Sequence, residues 1–256
     1  MIPQSDRRNF LKKAALGGMM AMSIPEIVSA AVGKSPAGNA PDIPLKKDAV
    51  ILFQGDSITD VGRKRDEAKP NDPSALGRGY PFIAAAALLE KHADKNLQIY
   101  NKGVSGNKVY QLAERWDADC LDIKPDVLSI LIGVNDFWHT LNGNYNGTVQ
   151  KYRDDYKALL TRTKEKLPDV KLIIGEPFAV NHVKAVDDKW FPAFNEYRAV
   201  AREIATEFKA AFIPYQSIFD KAQKAAAASY WTGDGVHPSL AGAGLMAHAW
   251  LETVKY

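Results

Sequence analysis

The chain has 256 residues, 46% hydrophobic and 25% charged, with a formal net charge of +3; these are the proportions of a globular protein long enough to bury a core without staples. One cysteine, Cys120, excludes an intramolecular disulfide framework and a cysteine-built metal site, and it reads as a small packing residue. Arg7, Arg8, Lys12 and Lys13 against Asp6 and Glu26 place +2 of the charge in the first thirty residues, so the remainder has no basic face for nucleic acid.

The N-terminal stretch reads as an address. Arg7-Arg8-Asn9-Phe10-Leu11-Lys12 resembles the twin-arginine export signal of bacteria. The apolar run that follows, Ala14 to Ile24, is interrupted by Gly17 and Gly18 and closed by Pro25, too short to span a bilayer. Val28-Ser29-Ala30 suits a signal-peptidase site, and no cysteine follows the run to carry a lipid anchor. The expected organisation is an export signal over residues 1–30, a linker rich in Ala, Gly, Pro and Lys over 31–47, and one domain over 48–256. Such a protein works in the periplasm or outside the cell, with no membrane attachment after signal removal.

From Ala49 onwards, apolar runs and helical patterns alternate. Ala49–Phe53, Leu97–Tyr100, Val127–Ile132, Val170–Ile174 and Ala211–Pro214 are short and nearly continuous in apolar residues, as strands covered on both faces are. Between them, Phe82, Leu88 and Leu89 lie in an alanine-rich stretch after Pro81. Val149, Tyr152, Tyr156, Leu159, Leu160 and Thr163 recur every three or four residues, as do Phe194, Tyr197, Val200, Ala201, Ile204 and Phe208. A last helix carries Leu240, Leu245, Leu251 and Val254. Alternation of this kind predicts an α/β fold, a parallel sheet with helices on both faces, whose ligand sits beyond the carboxyl ends of the strands.

The chemistry-bearing residues fall at those ends. Gly55-Asp56-Ser57 follows the first strand, Asn101-Lys102-Gly103 the second and Gly133-Val134-Asn135-Asp136 the third. Near the chain end, Asp234-Gly235-Val236-His237-Pro238 puts an acid and an imidazole on one turn. Ser57 is the candidate nucleophile, His237 the base that activates it, and Asp234 the group that orients the ring. An acyl-transfer site also needs oxyanion donors; the Ser57 N–H, the Gly103 N–H and the Asn135 amide are the candidates. Each motif also has a plainer reading. Ser57 or Asp56 is the type of residue that caps a helix, and Asp-Gly-Val-His-Pro is a turn before one. Glu176 is an alternative acid, without the short spacing to His237. The histidines at 92, 139, 182, 237 and 248 are too scattered to suggest a metal cluster.

Gly55-Asp56-Ser57-Ile58-Thr59-Asp60, Asn101 to Asn107, Gly133 to Asp136 and Asp234 to Pro238 together resemble the four blocks of the SGNH (GDSL-type) hydrolases, in the same order, with isoleucine at 58 where leucine is usual. The resemblance spans roughly residues 48–254. It implies a flavodoxin-like three-layer α/β/α fold with a five-stranded parallel sheet, a Ser57–His237–Asp234 triad, an oxyanion hole completed by Gly103 and Asn135, and no metal or organic cofactor. Within that family Gly62-Arg63, Leu76-Gly77, Gly79-Tyr80, Arg115-Trp116 and Trp138 are most similar to bacterial acetylxylan esterases, which makes a homo-oligomer an expectation as well.

The loops at the predicted active edge are polar and aromatic, as a carbohydrate surface needs. Trp138, Trp190 and Trp231 are candidate sugar platforms, and Arg63 and Arg115 candidate substrate contacts, with buried structural pairing as their alternative. The leading expectation is an esterase that removes acetyl groups from xylan or a similar plant polysaccharide through an acyl-enzyme. The alternatives are a lysophospholipase, thioesterase or arylesterase of the same chemistry, and a non-catalytic carbohydrate-binding protein.

Overall fold

The computed structural model of the chain describes residues 23–32, 43–67 and 69–255. The arginine pair of the expected export signal lies outside the described residues. The core is a five-stranded, all-parallel sheet. Its strands are β2 (Val50–Gly55), β3 (Gln98–Asn101), β4 (Val127–Leu131), β5 (Lys171–Gly175) and β6 (Ala211–Ile213), in the order β3-β2-β4-β5-β6. Each expected strand is present with its ends shifted by a residue or two. The central register sets Gly55 beside Leu131 and Leu131 beside Gly175, so the three central strands end together at one edge. Ile51, Leu52 and Phe53 are fully buried, because helices cover both faces of the sheet.

One face carries α4 (Tyr80–Lys91), α9 (Tyr215–Ala222) and α11 (Leu240–Leu251); the other carries α5 (Val109–Glu114), α7 (Val149–Lys166) and α8 (Phe194–Glu207). The periodic residues Tyr152, Tyr156, Leu159, Leu160 and Thr163 form the buried stripe of α7, and Thr148 caps it by accepting from the Lys151 N–H at 3.1 Å. Each such buried apolar side chain contributes about 1.5–3 kcal/mol relative to exposure. Cys120 is buried and free. No helix among the described residues is long and apolar enough to cross a membrane.

Two short elements lie where export signal and linker were expected. Helix α1 (Ile24–Val32) packs against α9 and α11, burying Ile27, Val28 and Ala31. Its start is a capping box in which Glu26 Oε2 accepts from the Ser23 N–H at 2.7 Å. Val28-Ser29-Ala30, which reads as a signal-peptidase site, lies inside this helix, because small and apolar residues suit a cleavage site and a packed helical stripe alike. Strand β1 (Ile43–Pro44) pairs in parallel with β7 (Val254–Lys255); a two-residue strand is below the length at which alternation is legible.

Candidate active site

The site lies at the carboxyl edge of the central strands. β2 ends at Gly55, and a one-turn helix, α2 (Ser57–Asp60), begins at once. Asp56 caps it, with Oδ1 accepting from the Ile58 N–H at 3.0 Å. The cap therefore belongs to Asp56, and the Ser57 hydroxyl is left for another partner. Asp56 is 1% exposed; burial pushes its carboxyl up to about 7, against the Ile58 N–H and the charge of His237.

That partner is His237. Ser57 Oγ lies 2.8 Å from His237 Nε2, and His237 Nδ1 lies 2.7 Å from Asp234 Oδ2. A carboxylate only accepts, so Nδ1 carries the ring proton and Nε2 presents a lone pair to the serine. Asp234 Oδ1 also accepts from the Val236 and His237 N–H groups at 2.9 and 2.7 Å. Burial opposes ionisation of Asp234, but these hydrogen bonds outweigh it and hold the carboxyl below its usual range. The turn is fixed from outside. The Val180 N–H donates to Gly235 O at 2.7 Å and the Ala185 N–H to Asp234 O at 3.0 Å. Gly235, at φ +95°, sits so close to this loop that a Cβ would meet Val180 O at 2.8 Å, so glycine is required there on both conformational and steric grounds.

One of the three expected oxyanion donors is already engaged within the protein. The Gly103 N–H is occupied, donating to Asn101 Oδ1 at 2.9 Å, and the Gly103 carbonyl accepts from Arg63 Nε and Nη2 at 3.2 and 2.8 Å. Gly106, three residues on, has an N–H with no acceptor among the described residues. Its φ is +82° and nothing lies within 4 Å of where a Cβ would be. Its two neighbours place it. Ser105 is bonded to Asp60 of α2 through N–H and Oγ at 2.9 and 2.8 Å, and Asn107 O accepts from Asn135 Nδ2 at 3.2 Å. Gly106 is thus bracketed between the serine turn and Asn135, and its N–H, unlike that of Gly103, is free among the described residues. The signal was present in the sequence as a second glycine in the same block; only the hydrogen bonds decide between the two.

Asn135 opens α6 (Val134–Leu141) and is 4% exposed. Beside it, burial pushes Asp136 up to about 7 despite the Val109 N–H it accepts. Among the described residues no group of three His, Cys, Asp or Glu side chains is arranged to hold a metal ion.

Of the five expected substrate contacts, one remains at the site. The Trp138 ring centroid lies 6.5 Å from that of His237. Trp190, 1% exposed, donates to Ala185 O and packs on Phe137 and Phe194. Trp231, 5% exposed, donates to Ala226 O beneath the acid–histidine turn. Both are core, because a large apolar ring with its N–H satisfied gains more by burial than by display. Arg63 grips Gly103 and faces Asp60 at 3.5 Å. Arg115 donates to Asn107 Oδ1, Lys102 O and Asp119 Oδ2. These guanidinium groups hold the 102–107 loop. Glu176 is buried at the end of β5, held by Arg198 at 3.3 Å and the Gln216 N–H at 3.2 Å, and takes no part in the His237 pair.

The family pattern of GDSL-like lipases and acylhydrolases matches residues 53–245, which include every residue of this constellation. The chain belongs to that family. The acetylxylan esterase of Geobacillus stearothermophilus is 34% identical over 208 residues, covering 80% of this chain and 94% of that one. The crystal structure of Axe2, an acetylxylan esterase from the same organism, superposes with a TM-score of 0.74 at 30% identity, over 83% of this chain and 96% of that one. Solved catalytic mutants of that enzyme replace a serine, an aspartate and a histidine, the last two three positions apart, the spacing of Asp234 and His237. A GDSL-like chain from Parabacteroides merdae is 55% identical, with a TM-score of 0.82 over 83% of this chain and 98% of its own. This GDSL-family member is a carboxylic ester hydrolase related to acetylxylan esterase.

Proposed function

We propose that the protein is an exported carbohydrate O-acetylesterase in which Ser57, His237 and Asp234 form the catalytic triad. The observation that carries the mechanism is the continuous Ser57–His237–Asp234 relay, with both contacts under 3 Å. Ser57 Oγ attacks the ester carbonyl carbon while His237 Nε2 takes its proton. The oxyanion that forms is met by the Ser57 and Gly106 N–H groups and the Asn135 amide. As the tetrahedral intermediate collapses, His237 returns the proton to the leaving sugar oxygen, leaving an acetyl-enzyme. Water, deprotonated by His237, then attacks that ester, and the imidazolium returns the proton to Ser57 Oγ as acetate leaves. Asp234 stabilises the imidazolium throughout.

The acetylated-carbohydrate reading is supported by the relationship to acetylxylan esterase and by the half-buried Trp138 beside His237. Export is supported by the Arg7-Arg8 motif and the apolar run that follows it. Acetate release from acetylated xylo-oligosaccharides, lost in Ser57→Ala, is the expected result. No release by a wild-type enzyme that cleaves long-chain esters well would sink the substrate assignment.

One observation favours a second reading. A cleft of about 280 Å³, lined by Ile58, Val61, Pro238 and Leu240 with Arg78 and Tyr80, opens beside the residues that follow Ser57 and His237. Leu240 at its rim is 80% exposed. An apolar wall of this kind suits a longer acyl chain, as a lysophospholipase, thioesterase or arylesterase takes. Nitrophenyl esters from acetyl to octanoyl separate the two: preference for acetyl supports the first reading, preference for octanoyl the second.

A further inference from the structure

Lys108 follows Asn107, whose carbonyl holds the Asn135 amide, and it is only 7% exposed. A buried lysine is ordinarily paired with an acid, yet Lys108 enters none of the ion pairs formed among the described residues. Its Nζ lies 3.1 Å from His139 Nδ1, and 5.7 and 5.2 Å from the centroids of the Tyr110 and Tyr145 rings, which stack on each other. The nearby acid, Asp136, turns its Oδ1 to the Val109 N–H.

This cluster is continuous with the reaction centre. His139 stands one helical turn after Asn135 on α6 and next to Trp138, the ring nearest His237. The ammonium can only donate, so His139 Nδ1 accepts and its proton resides on Nε2. Burial and the neighbouring Lys108 charge hold the imidazole below its usual range, which keeps it neutral. The cage therefore offers a cation and the His139 Nε2 N–H, with no carboxylate in an ion pair to the ammonium among the described residues. Tyrosine faces stabilise the ammonium, and Asp136 attracts it without forming an ion pair.

We propose that Lys108, framed by His139, Tyr110 and Tyr145, is a subsite for a carboxylate carried by the carbohydrate, as on a uronic acid residue near the acetylated sugar. The inference rests on the carbohydrate reading and narrows it to acidic glycans. Lysine acts there as a point charge, and partial burial of the pair limits its screening.

The test compares two acetylated xylo-oligosaccharides that differ only in one uronic acid branch, with nitrophenyl acetate alongside. The wild-type kcat/KM should favour the acidic oligosaccharide by roughly tenfold at low ionic strength, the advantage shrinking as salt is added. Lys108→Met should bring the acidic-to-neutral ratio to about one, while Lys108→Arg, which keeps the charge, should retain part of it. A wild-type ratio of one overturns the proposal and leaves the acetylesterase reading standing. So does an equal fall on both oligosaccharides in Lys108→Met, the mark of a purely structural lysine. Cleavage of nitrophenyl acetate with no acetate from either oligosaccharide overturns the carbohydrate reading and this subsite with it.

Discussion

Arg63 donates through both Nε and Nη2 to the carbonyl of Gly103, at 3.2 and 2.8 Å. The same arginine follows the Ser57 turn by three residues beyond Asp60, which in turn holds Ser105. The Ser57 turn and the 102–107 loop are thereby tied together, and under the proposed mechanism a small displacement of Gly106 relative to Ser57 is costly because oxyanion stabilisation depends on donor placement.

Arg63→Met should therefore lower kcat by about 10- to 100-fold with little change in KM, since the lost interaction matters most in the transition state. Arg63→Lys should recover only part, because one ammonium cannot reproduce the two-pronged contact. Steady-state kinetics on nitrophenyl acetate read the split; a rise in KM at constant kcat would return Arg63 to the role of a substrate contact.

Replacing Asn135 by alanine should cost about 10²–10³ in kcat, the usual consequence of removing one oxyanion donor. The fold should persist, because among the described residues the amide makes a single hydrogen bond, 3.2 Å to Asn107 O. Circular dichroism with kinetics on the same sample checks both halves. Near-normal kcat would remove Asn135 from the hole.

Asp234→Asn should keep the fold and lose about 10³–10⁴ in kcat, because an amide in place of the carboxylate no longer fixes the proton on Nδ1. Ser57→Ala should lose at least as much. Labelling by a serine-directed phosphonate distinguishes them: Asp234→Asn retains the nucleophile and labels slowly, whereas Ser57→Ala does not label. A fully active Asp234→Asn enzyme would exclude Asp234 from the relay.

Stability should fall as pH rises from about 4 to about 7. Asp56 and Asp136 are pushed up from 3.8 to about 7 by burial, so in that window the folded chain keeps protons that the unfolded chain has released. The folded state binds more protons, which makes the slope of stability with pH negative; above about 7 the contribution levels off. The loss per group is at most on the order of 4 kcal/mol. Asp60 and Asp234, held low, act with the opposite sign and only in more acidic solution. Urea midpoints at pH 5, 6 and 7 should decline for the wild type and decline less steeply in Asp56→Asn, whose amide oxygen still accepts from Ile58 and in which Asp136 still titrates. A midpoint that rises across this range would contradict the assignment.

How far the site was legible depended on how local each signal is. Ser57, His237 and Asp234 stood out because their residue types are chemically distinctive and two of them share one turn. Asp56 and Ser57 were both candidates for the helix cap, and the chain resolves this by giving the cap to Asp56 and the hydroxyl to His237, 180 residues away. Trp190, Trp231 and Arg115 carry types common to substrate surfaces and cores alike. Which they are depends on what packs over them, and that information lies in no window of sequence.

The five strands follow from hydrophobic continuity, a property of a few adjacent residues that any doubly covered sheet imposes. The serine–histidine–acid chemistry follows from residue identity in the same way. The choice of Gly106 over Gly103, the burial of two tryptophans and the caging of Lys108 were decided only by the tertiary structure. Each depends on which groups the folded chain brings within reach, and a donor satisfied by one acceptor is no longer available to a substrate.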